Sequence, residues 1–486
     1  MTTKRRDFIK KTGLGIASIG FLNTLNADTK SADPEFVFND INGGSDLEMK
    51  SFRVTAPLFC PYHSIPGGHP GGGGSHYYRK EAFTHNPFTI RASGMSGSPV
   101  IVDANGKFFG FMSTFGYENS TFNFNGTDTL TIQIPNGQDV FVDESGNGDT
   151  AWKIYNTKIM GRLGIEPLKD YPKFWSDVEY CTWVEQKYQR THQISHFNLL
   201  THEFVKKYID AIIDLGYPKG KLTLDHGWGQ FPSGHVDSGF GSWVPDPKKF
   251  PDFKNTMEMI QEKGFTPGLW IGFPKIHKDS LIAKKSPNLL GQWEARGEKI
   301  ASKGVRYLNP AADIYNYASE VIGRFNDMGV KKFKIDMSYN TKSDMLHIHK
   351  ELYRAAKNIN PELEMEFHVS DIFFAKYADV IRTNDVWLRD NVDWEGRVKT
   401  HYKVASQSCP GRGINLDHIG GNDTKVITEQ KFLKHLNMYK NKIGYPLVSV
   451  LPNHFGEKCT RATGDYLWQY ANGPRKLVSD FYIKED

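Results

Sequence analysis

The stretch Asp313-Ile-Tyr-Asn-Tyr-Ala-Ser-Glu-Val-Ile-Gly-Arg-Phe-Asn-Asp-Met328, followed by Gly329-Val330-Lys-Lys-Phe-Lys334-Ile-Asp336-Met337, decides the fold. It reads as a helix over 313–328, a glycine stop, and a strand over 332–337 that ends on a carboxylate. Working outward, the same grain recurs. Residues 201–215 place Phe204, Val205, Tyr208, Ile212 and Leu215 at helical spacing, then Gly216 and Pro218 as stop signals, then a strand at 222–224. Further helices are predicted at 255–263 and at 343–357 with Ser343 as cap, and further strands at 267–273, 305–308, 363–369, 379–383, 414–416 and 446–451. Eight strands alternating with helices over about 280 residues predict a (β/α)8 barrel across 176–486, ending in a short helix and tail. A doubly wound sheet fits the alternation too, but no glycine-rich GxGxxG turn follows an early strand.

Upstream the grain is different. Residues 28–175 hold short β-branched or alternating runs at 51–55, 88–91, 99–102, 107–111, 129–134 and 140–142. Asn105-Gly106, Asn125-Gly126 and Asn136-Gly137 separate several of them, so a sandwich-like β domain is expected. The run from Gly67 to His76 reads as a glycine-rich loop rather than a histidine metal site. Gly94-Met-Ser96-Gly-Ser-Pro-Val100 imitates the nucleophile loop of trypsin-like proteases, yet too little chain precedes Ser96 for the base and orienting acid that chemistry needs, and a turn is the better reading.

Residues 1–27 carry Lys4, Arg5, Arg6, Lys10 and Lys11 before an apolar run from Leu14 to Leu25. This resembles a twin-arginine export signal, implying a periplasmic or secreted protein. The chain of 486 residues is 39% hydrophobic and 24% charged, as in an ordinary globular protein. Its net charge of +5 comes mostly from that leader, which contributes +4 and leaves +1, so nucleic acid is not an expected partner. No stretch is long and apolar enough to span a membrane. Cys60, Cys181, Cys409 and Cys459 show no zinc spacing; an oxidising destination permits disulfides in any of three pairings, and the preferred reading is that some or all are buried free thiols.

A barrel gathers its chemistry just past the carboxyl ends of its strands. Those positions carry Asp225-His226-Gly-Trp228, Leu269-Trp270, Lys334-Ile-Asp336-Met337, Glu366 with His368, Arg382-Thr-Asn-Asp385 and Asp417-His418. Carboxylates and cations bind sugar hydroxyls, and aromatic faces stack on sugar rings. Cleaving a glycosidic bond needs two carboxyl groups in different protonation states.

Several segments then become recognisable. Leu224-Asp225-His226-Gly227-Trp228, Trp243-Val-Pro-Asp246-Pro-Lys-Lys-Phe250-Pro251, Gly264-Phe-Thr-Pro-Gly268-Leu-Trp270 and Leu308-Asn-Pro310 resemble retaining α-galactosidases. So does Gly329 to Met337. The family is glycoside hydrolase family 36, in a clan shared with families 27 and 31. Residues 174–185 are similar to a lead-in typical of family 31, and the resemblance covers about 175–455. It implies Asp336 as nucleophile and Asp385 as general acid/base, with Asp390 and Asp393 as rivals for the second role. It implies glycone contacts from Asp225, Trp228, Trp270, Lys334 and Arg382. His226, Glu366, His368 and Asp417 are candidates by strand-end position. The implied reaction is double displacement with retention, the two carboxyl groups roughly 5–5.5 Å apart, and Lys334 helping to keep Asp336 ionised. No metal or organic cofactor is implied.

Two departures bear on substrate. α-Galactosidases have a second aspartate where His226 stands, the pair gripping O4 and O6, and family 36 usually has Asn where Ser338 follows Met337. The expectation is an exported retaining α-glycosidase acting on terminal α-linked sugars of oligo- or polysaccharides. The alternatives are α-glucosidase or α-N-acetylgalactosaminidase activity on a modified sugar, a non-catalytic carbohydrate-binding relative and, last, a serine hydrolase.

Overall fold

The computed structural model describes residues 49–55, 57–61, 77–79, 88–91, 99–103, 105–293, 304–338, 341–383, 385–390 and 393–474. The expected export signal, the expected glycine-rich loop and Ser96 lie outside them. Eight parallel strands close into a barrel: β1 Glu179–Cys181, β2 Lys221–Leu224, β3 Thr266–Ile271, β4 Lys332–Ile335, β5 Glu364–Phe367, β6 Val380–Arg382, β7 Gly413–Ile419 and β8 Tyr445–Val448, with β8 pairing back onto β1. The expected (β/α)8 architecture is therefore present.

One strand of the sequence reading belongs elsewhere. Val305–Leu308 pairs antiparallel with Lys275–His277 and Leu290–Trp293 in a side sheet inserted between β3 and β4. Its place in the barrel is taken by Glu179–Cys181. That strand has only three residues, one of them charged, so no apolar run advertises it. Ser343 is not a helix cap either. Helix Lys342–Ile359 is capped by Thr341, whose hydroxyl accepts from the Asp344 amide, while Ser343 donates its hydroxyl to Glu118 at 2.8 Å.

Alternation along the strands explains what points where. In β4 and its extension, Phe333 and Ile335 face the helices, so Lys332, Lys334 and Asp336 line the inside at three successive depths. The same two-residue period puts Lys221, Thr223 and Asp225 inside from β2, and Glu364, Glu366 and His368 inside from β5. The deepest level is ionic. Lys221 pairs with Glu364 at 3.0 Å, Lys332 bonds Glu179 and reaches Glu366 at 2.6 Å, and Asn415 and Tyr445 donate to Glu366 at 2.8 and 2.9 Å. All are buried. Buried charges of this kind are tolerable only when partners satisfy one another.

Before the barrel stand two antiparallel sheets, one ordered 49–55, 129–135, 121–124, 88–91 and the other 77–79, 57–61, 100–103, 108–111, 140–143. Their facing side chains, among them Ile101, Phe109, Phe111, Phe122, Leu130 and Ile132, form one apolar core, as in a sandwich. Gly106, Gly126 and Gly137 of the Asn-Gly pairs all adopt positive φ, which glycine takes without a Cβ penalty. The region is not purely β. Helix Gly148–Leu163, capped by Asn147 and closed by left-handed Gly164, buries Trp152, Tyr155 and Ile159.

Candidate active site

The site is built at the mouth of the barrel from the third inward level of its strands. Asp336 follows β4 directly. Its Oδ1 accepts the Met337 amide at 2.8 Å, a bond made possible by the left-handed backbone of Met337 (φ 69°), and its Oδ2 accepts the Trp270 indole N–H at 3.1 Å. The His368 Nδ1 stands 3.5 Å from the same carboxylate and Arg382 Nη2 3.8 Å. Burial alone would raise the pKa of Asp336. His368, Arg382, Lys334 and the indole N–H outweigh it and hold the carboxyl well below the usual carboxylate range. Of these neighbours Arg382 and Lys334 carry permanent charge, while burial pushes His368 towards its neutral form.

Arg382, on the last residue of β6, organises the pocket. Its Nη1 lies 3.3 Å from Asp385 and 3.3 Å from Asp417, and its Nε 3.6 Å from Glu366. One guanidinium therefore touches both Asp336 and Asp385. Asp385 behaves oppositely to Asp336: burial and the nearby Asp417 raise it, against Arg382 and His418. Asp417, on a left-handed backbone (φ 63°), is raised by burial, and His418 is pushed down to about 3 by burial and Lys334.

Lys334 is spent one level lower. It pairs with Asp225 at 2.7 Å, and the Cys181 thiol donates to the same carboxylate oxygen at 3.2 Å. Asp225 is held low by Lys334 despite its burial. The His226 ring stacks on Trp270 with centroids 4.4 Å apart and planes 13° apart, and its Nε2 lies 3.4 Å from the Val236 carbonyl. Burial pushes this imidazole towards its neutral form, against Asp237 and Asp225.

Asp225, His226, Trp270, Lys334, Asp336, His368, Arg382, Asp385 and Asp417 thus come together. One expected glycone contact, Trp228, and one strand-end candidate, Glu366, do not join them. Trp228 packs against Trp243, Phe253 and Phe325, between strand and helices, and its indole N–H is used on the Trp270 carbonyl at 2.9 Å. Glu366 sits in the ionic layer beneath, bonded to Lys332, and meets the site through the charges of Arg382 and Lys334. Neither rival acid is in the cleft: Asp390 is exposed and paired with Lys431 at 2.8 Å, and Asp393 caps helix Trp394–Ser408. Ser338 is buried, its hydroxyl 2.9 Å from His349.

Reading the strand ends alone missed the outer rim. Trp183, Lys187 and Arg190 follow β1 at spacings of four and three, a one-face helical pattern that could have been read once β1 was recognised. Among the described residues one cluster has metal-type donors: Asp385, Asp417 and His418, within 4.8 Å of one another. The Arg382 guanidinium bonds both carboxylates, so a cation already fills that role. Cys181, Cys409 and Cys459 are buried free thiols.

No protein-family model matches the chain, and no curated protein matches it by sequence. Solved structures do match. The alpha-galactosidase of Thermus thermophilus, solved with p-nitrophenyl alpha-D-galactopyranoside, superposes with a TM-score of 0.55 at 14% identity, over 77% of this chain and 76% of that one. The GH36 alpha-galactosidase AgaA of Geobacillus stearothermophilus gives 0.57 at 15%, over 87% and 62%. The alpha-galactosidase of Lactobacillus brevis gives 0.55 at 15%, over 87% and 60%. This chain spans less than two thirds of the latter two. At these identities what is shared is the fold, a barrel of the kind GH36 alpha-galactosidases carry.

Proposed function

We propose that this protein is an exported retaining α-glycoside hydrolase of the α-galactosidase type, acting on terminal α-linked sugars of oligo- or polysaccharides. One observation carries the reading: a single guanidinium links two carboxyl groups whose surroundings drive their acidities apart, Asp336 down and Asp385 up. That is the division of labour a glycosidase needs. Ionised Asp336 attacks the anomeric carbon while protonated Asp385 gives its proton to the departing oxygen. The glycosyl ester on Asp336 is then opened by water, whose proton Asp385 takes.

Trp270 and Arg382 hold Asp336 for attack, and Asp225, kept ionised by Lys334, offers an acceptor to ring hydroxyls. Stacked His226 cannot supply the second carboxylate of an α-galactosidase site, so modified galactosides stand beside plain galactose as candidate glycones. The neighbouring enzymes, one solved with stachyose, support the sugar class.

The test is hydrolysis of a panel of aryl α-glycosides by wild type and Asp336→Ala. The variant should lose roughly 10⁴- to 10⁶-fold in rate, and azide should restore turnover by giving a β-glycosyl azide. NMR of the first-formed sugar from wild type should show the α anomer. A β product removes double displacement, and an undiminished Asp336→Ala removes the assignment. Retained sugar binding by a wild type that hydrolyses nothing would make the protein a binding relative.

A further inference from the structure

The proton donor has an outer side, and it is cationic. Helix Trp183–Gln189 carries Trp183 and Lys187 one turn apart. The Trp183 indole donates to Asn422 Oδ1 at 3.1 Å, and the Lys187 ammonium donates to the same oxygen at 2.6 Å and to the Asn422 carbonyl. The Asn422 amide in turn donates to the carbonyl of Val386 at 2.8 Å, the residue directly after Asp385. Lys187 is therefore tethered, through one asparagine, to the backbone that carries the acid/base candidate.

Two more cations stand nearby. Arg389, from the same segment as Asp385, pairs with Asp423 at 2.8 Å. Arg190, at the end of the Trp183 helix, is exposed and has no hydrogen-bond or ion-pair partner among the described residues. Among the described residues, the carboxylates acting on Lys187 are Asp385, which is protonated when it acts, and Asp423, which Arg389 already pairs. Burial lowers Lys187, Asp385 and Asp423 act against it, and Arg190 and Arg389 add to it. A partly buried ammonium has lost hydration, and an arriving anion would replace part of it.

The group bonded to the departing oxygen must lie on this side of Asp385, because the donor hands its proton to that oxygen. Trp183 is partly exposed; with Lys187 5.5 Å from its ring and His196 and Phe197 packed beside it, it offers an apolar face next to the charges. From this geometry we infer that the leaving-group subsite recognises a sugar bearing an anionic substituent, a sulfate ester or a carboxylate, held by Arg190 and Lys187 over the Trp183 ring. The inference rests on the reading of Asp385 as proton donor.

The test is calorimetric titration of the full chain as Asp336→Asn, which removes the nucleophile's charge and keeps its shape. Three probes are compared: sulfated galacto-oligosaccharides, the same oligosaccharides after desulfation, and oligosaccharides with a uronic acid next to the terminal galactose. At low salt one or both acidic probes should bind about ten-fold more tightly than the neutral one. The preference should shrink with added salt and largely vanish when Arg190→Gln is added. Which acidic probe wins separates sulfate from carboxylate recognition. Lys187→Met should act alike, but Arg190 is exposed, so its variant keeps the test valid if Lys187→Met does not fold. Equal binding of all three probes overturns the inference, as does an acidic preference that survives Arg190→Gln. Hydrolysis by wild type is scored separately: its absence overturns the glycosidase reading, not this one.

Discussion

Asp417→Asn should move the alkaline limb of the pH profile downward. An oxygen of Asp417 lies within 4.8 Å of one on Asp385. Two unit charges at that distance repel by about 3.5 kcal/mol at an effective dielectric of 20 and by about 0.9 kcal/mol in bulk water. These limits correspond to about 2.5 and 0.6 pH units. A quarter of the Asp385 side chain is exposed, so a shift of about one to two units is expected. The sign follows from the charges. Asp417 raises Asp385 by disfavouring its ionised form, so removing that charge lets Asp385 lose its proton at lower pH, and the donor form disappears sooner. Arg382, freed from one carboxylate, pulls the same way. The substitution is geometrically mild, because Asn keeps the shape and also tolerates the left-handed backbone at this position. The assay is kcat/KM between pH 4 and 9 on an α-glycoside with a poor leaving group, for which protonation of the departing oxygen matters. An alkaline limb that stays put or moves up would falsify the assignment of Asp385 as the acid.

Other substitutions separate chemistry from scaffold. Trp270→Phe keeps a ring against His226 but removes the N–H bonded to Asp336; kcat/KM should fall roughly ten- to hundred-fold, and an unchanged value would mean that bond is idle. Trp228→Phe should cost about 1–3 kcal/mol in urea unfolding because the Trp270 carbonyl loses its donor, while KM stays within about two-fold of wild type; a large rise in KM would return Trp228 to the cleft. Lys332→Met leaves Glu179 and Glu366 buried without their cation and should destabilise the barrel by about 3–5 kcal/mol, measured by thermal unfolding; an unshifted midpoint would show that the inner carboxylates find other partners.

The barrel was legible because helical spacing and strand alternation are properties of neighbouring residues. Asp313–Met328 followed by Lys332–Met337 announces one helix and one strand whatever surrounds them. Asp336 was legible for the same reason, since a carboxylate two places beyond an inward lysine must also point inward. The strand Glu179–Cys181 was not, because three residues carry no period of their own and only pairing with β2 and β8 makes them a strand. Val305–Leu308 looked like a barrel strand because local sequence cannot distinguish a parallel partner from an antiparallel one.

Trp228 and Trp270 show the same division. Each follows a strand and each is an aromatic on the rim. Trp270, at an inward position of β3, meets Asp336, whereas Trp228 lies beyond the turn at Gly227 and meets Phe253 and Phe325 of two helices. By itself the sequence determined the repeating units, their order and the side each strand residue faces, since these depend on contacts within a few residues. Only the closed structure decided that Arg382 bridges Asp336 and Asp385, that Lys334 is spent on Asp225, and that Lys187 is tied to the loop after Asp385. Those distances join segments separated by many residues, and they are set by how eight strands close on one another.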